Sequence, residues 1–168
     1  MKKTIYISGS ITDLSTGQPR EGWQQDFLDA EAKLRQMGFN VINPVQIAEE
    51  VEKAWREKWS WKGDKNEASL NGPIRDAILE QGPTRGHYLA ACIQRMNDEA
   101  FAHNLHGVYI IGKDAPVIVR SHGVQMEVLM AEVLGVPVYA ESRGDERVSS
   151  TYFPMDNHGT IKELLNDC

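Results

Sequence analysis

One carboxylate, Glu127, lies in an apolar helical segment just after a strand, which is an uncommon place for a charge. The segment Ser121-His122-Gly123-Val124-Gln125-Met126-Glu127 follows the apolar run Gly107-Val108-Tyr109-Ile110-Ile111. The helix continues through Val128-Leu129-Met130-Ala131-Glu132-Val133-Leu134 and is expected to stop at Gly135. At about 100° per residue, Val124, Val128, Ala131 and Gly135 form a sheet-facing stripe that Glu127 borders. Desolvation penalises a carboxylate there unless something uses it or pairs with it. The nearby helix N-terminus favours the ionised form. A partly dry carboxylate kept ionised and aimed at a crevice is a candidate nucleophile. The alternative is a Glu that reaches water or pairs with a neighbouring Arg.

The elements that must position Glu127 alternate along the chain. Thr4-Ile5-Tyr6-Ile7-Ser8 reads as a buried strand, and Gly9-Ser10 opens a polar loop through Arg20. Trp23 to Met37 reads as an amphipathic helix with Phe27, Leu34 and Met37 on one face and Gly38 as its stop. Phe39 to Asn43 is a second strand, ended by Pro44, and Val45 to about Trp55 is helical. Lys58 to Gly86 is polar, carries Trp59 and Trp61, is broken by Gly63, Gly72-Pro73 and Gly82-Pro83, and reads as an insertion or lid. Tyr88 to about Ala102 is helical, and Gly107 to Ile111 is the third strand. Lys113 to Arg120 is a loop containing Val117-Ile118-Val119. After the Glu127 helix, Val136 to Ala140 is a strand, Glu141 to Asn157 is irregular, and Thr160 to Asn166 is a short terminal helix.

This alternation predicts a single α/β domain over residues 1–168, doubly wound around a mostly parallel, Rossmann-like or flavodoxin-like sheet with helices on both faces. In such sheets ligands bind beyond the carboxyl ends of the strands, where strand order reverses. The loops after Ser8, Ile111 and Ala140 would meet there.

Composition narrows the function classes. The 168 residues suffice for a real core. Hydrophobic content of 41% and charged content of 25% fit a soluble globular protein. A net charge of −6 argues against nucleic-acid polymers and anionic membranes as partners, but leaves room for a small anion held by backbone amides. The start Met1-Lys2-Lys3 leads into a short strand with no cleavage pattern, so no signal peptide is expected. Cys92 and Cys168 form neither a disulfide framework nor a metal spacing. His87, His103, His106, His122 and His158 do not follow a ligand pattern. A reduced, cytoplasmic protein without metal or organic cofactor is expected.

Two motifs, Tyr6-Ile7-Ser8-Gly9-Ser10-Ile11 and Ser121-x-Gly123-Val124-x-x-Glu127, together resemble the nucleoside 2-deoxyribosyltransferase superfamily. The resemblance is closest to its hydrolytic branch, the 2'-deoxynucleoside 5'-monophosphate N-glycosidases. It covers the first strand and helix, the third strand, the Glu127 helix and the strand after it, but not Lys58 to Gly86. It implies that Glu127 attacks the anomeric carbon and displaces the base through a covalent glycosyl intermediate. It implies that Tyr6 orients that carboxylate, although a strand tyrosine packed in the core is the alternative. Ser8, Gly9, Ser10 and Ile11 would approach the nucleotide with backbone amides and a hydroxyl. Ser121 with Gly123 would accept the phosphate at a helix start, where the transferases carry an Asp. Ser121 is equally a helix N-cap.

By the same resemblance Glu99, or Asp98 one residue away, would contact the sugar or assist the nucleophile. A solvated acidic helix end is the alternative. Arg147-Val148-Ser149-Ser150 resembles the stretch through which a second subunit contributes a phosphate-contacting Ser, making Ser150 the candidate and a homodimer or higher oligomer the expectation. Gln125 departs from the family's small residue and would narrow the crevice or contact the base. Trp59 and Trp61 would stack on a base or, as packing favours, serve an interface. The expected reaction is hydrolysis of a deoxynucleoside monophosphate to free base and deoxyribose 5-phosphate. The rivals are base exchange between nucleosides, a nucleotide-binding module without chemistry, and an interaction protein built on the tryptophan-bearing insertion.

Overall fold

The computed structural model describes residues 2–12, 16, 18–60, 68–112, 121–148 and 159–166, with side chains of 68–73 not described. Strand β1 (Thr4–Ser8) leads to helix α1 (Trp23–Met37), strand β2 (Asn40–Ile42) and helix α2 (Pro44–Trp59). Helices α3 (Ala68–Gln81) and α4 (Arg85–Phe101) precede strand β3 (Leu105–Ile110), helix α5 (His122–Val133) and strand β4 (Val138–Ala140). A short strand β5 (Glu146–Val148) follows. The sheet order is β2-β1-β3-β4-β5, parallel except for antiparallel β5. This is an α/β doubly wound fold. The chain steps from β1 out to β2 and returns to β3 on the other side, so strand order reverses between β1 and β3. The Ile111 amide donates to the Ser8 carbonyl at 2.8 Å and fastens the two strand ends at that point.

Strand alternation sorts β1 onto two cores. Ile5 and Ile7 join Phe27, Ala30 and Leu34 of α1 with Tyr109 and Tyr139. Tyr6 joins Ile47 of α2, Cys92 and Met96 of α4, and Val124, Val128 and Ala131 of α5. Helix α1 therefore covers one face, and α2, α4 and α5 cover the other. Gly38, at φ 107, ends α1 with its amide on the Arg35 and Leu34 carbonyls.

Helices α2 and α4 run antiparallel, as three contacts require. Arg95 pairs with Glu50 at 2.7 Å, Tyr88 donates to Glu52 at 3.4 Å, and Trp55 meets the His87 ring edge-on at 4.9 Å. Helix α4 descends toward the start of β3, and Cys92 packs with Tyr6. The turns of α4 before Cys92, roughly 10 Å of helix, thus rise to the carboxyl end of β1 and past it. The C-terminal half of α2 and α3 brace them, with Trp55 Nε1 donating to the Ile78 carbonyl at 3.2 Å.

Three expectations change. The stretch read as an insertion or lid broken at Gly72-Pro73 contains α3, which continues through that pair. Half-buried Ile78 and Leu79 lie in its later turns, and Ile78 meets Trp55, so tertiary packing outweighs the local breaker. Residues 61–67, with Trp61, lie outside the described residues. The stretch after Ala140, expected to be irregular, forms a 3-10 turn (Glu141–Arg143) and β5. Gly144 at φ 69 and Asp145 at φ 68 make a tight reversal between β4 and β5. The side chain of Asp145 accepts from Tyr109 Oη at 2.5 Å and pairs with Lys33 at 2.8 Å, offsetting its unusual backbone. The expected terminal helix is a 3-10 turn over Glu163–Leu165. Val117 to Val119 lie outside the described residues.

Candidate active site

Glu127 is the sixth residue of α5 and is 6% exposed, on the helix side that carries buried Val124, Val128 and Ala131. Its two oxygens take different partners. Tyr6 Oη donates to Oε1 at 2.6 Å, and Ser8 Oγ donates to Oε2 at 2.5 Å. Tyr6 and Ser8 point to the same side of β1 because they are two residues apart on a strand. Both are fully buried. Among the described residues no lysine or arginine pairs with Glu127; each named partner is a neutral hydroxyl.

Burial dominates the electrostatics. It pushes the Glu127 carboxyl from 4.5 up to about 7, against the hydrogen bonds from Ser8 and Tyr6, which pull it down. The sequence led to a carboxylate kept ionised by the helix N-terminus. Glu127 instead lies beyond the first turn, where the dipole fades, and desolvation prevails. The group is poised between its two protonation states near neutrality. The Tyr6 phenol is raised well above its ordinary range, first by burial and then by the Glu127 charge, so it stays a neutral donor. The Cys92 thiol, packed in the same core as Tyr6, is pushed up to about 12, mainly by burial and next by Glu127. It is a buried, protonated neighbour of the pair.

The other candidate residues surround this centre unequally. Gly9 follows Ser8 directly. A Cβ there would lie 2.5 Å from Ile111 Cγ1 and 3.0 Å from Phe27 Cζ, so the missing side chain serves close packing against the α1 face. Ser10 Oγ donates to the Thr12 carbonyl at 3.0 Å, and the Ile11 carbonyl accepts from the Arg20 amide at 2.7 Å. Those bonds, with the bridge between Thr12 and Pro19, shape the loop above β1. Ser121 caps α5 by accepting from the Val124 amide at 3.4 Å, and Gly123 lies in the first turn. Gln125 is exposed on that turn. Trp59 is half-buried and packs at 5.9 Å from Trp55. Ser150 lies outside the described residues.

Asp98 and Glu99 are not brought to Glu127. Both lie in the last turn of α4, just before the start of β3, whereas Ser8 ends β1 at the opposite end of the sheet and Tyr6 packs with Cys92, earlier on α4. Asp98 is exposed and accepts from Gln94 at 2.7 Å. The reason is topological: α4 runs against the strands, so each residue toward its C-terminus moves away from the carboxyl ends. The residue that α4 does place beside the pair is Cys92. Its signal in the sequence is the four-residue step to Met96, which puts both on the sheet-facing side.

Comparison with protein-family models, with curated proteins and with solved structures finds no match. A buried carboxylate held at both oxygens, without a neutralising cation among the described residues, can attack an electrophilic carbon or carry a proton near neutral pH. Among the described residues no group of three or more His, Cys, Asp or Glu side chains is placed to hold a metal ion. Among the same residues no helix is long and apolar enough to cross a membrane.

Proposed function

We propose that this protein hydrolyses the N-glycosidic bond of 2'-deoxynucleoside 5'-monophosphates, with Glu127 as nucleophile. One observation carries the reading. Glu127 is buried at the β1 and β3 switch point, unpaired by any cation among the described residues, and gripped by Tyr6 and Ser8. A carboxylate kept only for structure gains nothing from that arrangement, because burial penalises its charge and no ion pair offsets the cost. A nucleophile gains orientation and a dry environment.

In the proposed reaction the phosphate rests near the loop from Ser8 to Ile11 and the N-terminus of α5 at Ser121 and Gly123. Ionised Glu127 attacks the anomeric carbon, and the base departs with the electrons of the C–N bond. Water then cleaves the glycosyl ester and releases deoxyribose 5-phosphate. The lack of a 2'-hydroxyl lets the sugar bear positive charge, so positioning and electrostatics are the protein's main tasks. The motif resemblance supports the substrate class, and the free, buried Cys92 is compatible with a reduced, cytoplasmic setting. A homodimer, with Ser150 reaching a second subunit's phosphate, belongs to the same reading. Asp98 and Glu99 do not enter it.

The test is chromatography of purified protein with a panel of deoxynucleoside monophosphates, ribonucleotides and free nucleosides, using Glu127→Gln as blank. Free base from deoxymonophosphates, absent with the blank, is the expected outcome. Base exchange between nucleosides would redirect the reading to transfer. Nucleotide binding without release would redirect it to a binding module.

A further inference from the structure

We propose, resting on the glycosidase reading, that Ser8 is a positioning residue for release of the covalent intermediate, and that Oε2 of Glu127 is the attacking oxygen. The two hydroxyls that hold Glu127 lie at unequal depth. Tyr6 lies two residues inside β1 and holds Oε1, while Ser8 is the last residue of the strand and holds Oε2. Oε2 is thus on the side of the carboxyl end, where the loops leave the sheet. Oε1 is on the side of the core, where Tyr6 is enclosed with Cys92 and Val124.

The two hydrogen bonds fare differently through the reaction. In the first step the Oε2–C1' bond forms and the C1'–N bond breaks, and the base leaves with that electron pair. Oε1 becomes the ester carbonyl oxygen, which still accepts well, so the Tyr6 bond persists. Oε2 becomes the ester's bridging oxygen, a poor acceptor with the sugar attached, so the Ser8 bond is given up. In the second step water attacks C1', the C1'–Oε2 bond breaks, and its electron pair returns to Oε2. The proton of the attacking water passes to solvent. Charge reappears on the atom that Ser8 faces. A donor that is good to the carboxylate and poor to the ester favours breakdown over formation of the intermediate.

The same grip explains why a serine, rather than a bulkier donor, can end this strand. The hydroxyl is small enough to turn aside when the sugar is bound and return when it leaves. Ser8 thereby acts through Glu127 rather than through the nucleotide, unlike the phosphate-loop role that its place beside Gly9 implies.

The experiment is steady-state kinetics of Ser8→Ala and Ser8→Thr on the best deoxymonophosphate, run on the alkaline plateau where Glu127 is ionised in parent and variants alike, with acid-quenched intact-mass analysis of the protein. Slow breakdown has a specific signature: kcat and KM fall together, because kcat/KM reports only the steps through base departure. For Ser8→Ala both are expected to drop roughly tenfold, the usual scale for a lost hydrogen bond to a charged group. The fraction of protein carrying the sugar-phosphate mass should rise over the parent. Ser8→Thr, which restores the hydroxyl, should recover most of the loss. Titration of the Glu127 carboxyl by isotope-edited infrared spectroscopy should show Ser8→Ala moving it to higher pH. A fall in kcat/KM with no accumulated adduct would overturn the role of Ser8 while leaving the glycosidase intact. Absence of base release by the parent from any nucleotide would overturn the underlying reading instead.

Discussion

Glu31 and Glu127 are the two buried carboxylates among the described residues, one against each face of the sheet. Glu31, on α1, has a complete set of partners. Arg35 Nε meets Oε1 at 2.7 Å, and Asn43 Nδ2 donates to Oε2 at 2.7 Å. Asn43 also caps α2 by accepting from the Val45 amide at 3.0 Å. Glu31 thus neutralises a cation and ties α1 to the start of α2. Glu127 has two hydroxyls and, among the described residues, no cation, and its proton affinity is raised by burial. The first arrangement is what stability asks of a buried acid; the second is the one the proposed function draws on.

The largest expected effect comes from Glu127→Gln. Activity should fall on the order of 10³-fold or more, because an amide cannot form the ester. Stability should move the other way with pH. Between the ordinary carboxyl value of 4.5 and the folded value of about 7, the native state holds a proton that the unfolded chain has lost. The parent's stability therefore falls as pH rises through that window and is level above it. The gap corresponds to about 3 kcal/mol. Denaturant unfolding at pH 4 and pH 8 should show the variant gaining that much relative to the parent at the higher pH. A pH-independent difference would mean Glu127 is an ordinary solvated acid and would dissolve the contrast with Glu31.

The next effect is on the rate profile. In the proposed reaction ionised Glu127 attacks, so kcat/KM should rise tenfold per pH unit up to about 7 and then level. Tyr6→Phe removes a bond that favours ionisation, so the acid limb should move to higher pH. An unmoved limb would assign the titration to another group.

Glu31→Ala sharpens the comparison from the other side. It leaves buried Asn43 Nδ2 without its nearer acceptor, costing about 1–3 kcal/mol. Arg35 contributes less, since its side chain is 52% exposed and can be solvated. Thermal unfolding should register the loss, while kcat/KM of the folded variant stays at the parent's level. A comparable loss of activity would show that both faces serve the reaction.

What the sequence reveals follows the reach of each interaction. Period-2 and period-3.6 patterns locate β1, α1 and α5 because they are local, and they place Glu127 on a buried helix side. The pairing of Tyr6 and Ser8 with Glu127 spans about 120 positions and is readable only in part: strand alternation puts both hydroxyls on one side, but not which carboxylate they meet. Helix α3 is hidden by Gly72-Pro73, and its support from Trp55 is tertiary. Strand β5 is three residues long and depends on a reversal at Gly144 and Asp145, whose side-chain anchors lie on α1 and β3. Polarity reversal along α4 is what misleads at Asp98 and Glu99: counting back from a strand fixes the helix but not which end of the sheet a residue faces.

That last point yields the smallest expected effect and the most direct check on how the site was assembled. Asp98→Asn and Glu99→Gln should each change kcat/KM by less than about twofold, the scale of substitutions away from buried features. Asp98 is exposed, and its recorded partner is Gln94 one turn earlier on the same helix. Removing that charge alters a helix surface near the amino-terminal end of β3, far along α4 from Cys92. A carboxylate acting on the sugar or on Glu127 would have to reach from there past Met96 and Cys92 to the far end of β1, through side chains that are fully or nearly fully buried. A loss of tenfold or more in Glu99→Gln, with stability retained, would therefore mean that the helix order around Tyr6 differs from the one described, and it would break the contrast at its base by giving Glu127 an ionised neighbour where the described residues supply only hydroxyls.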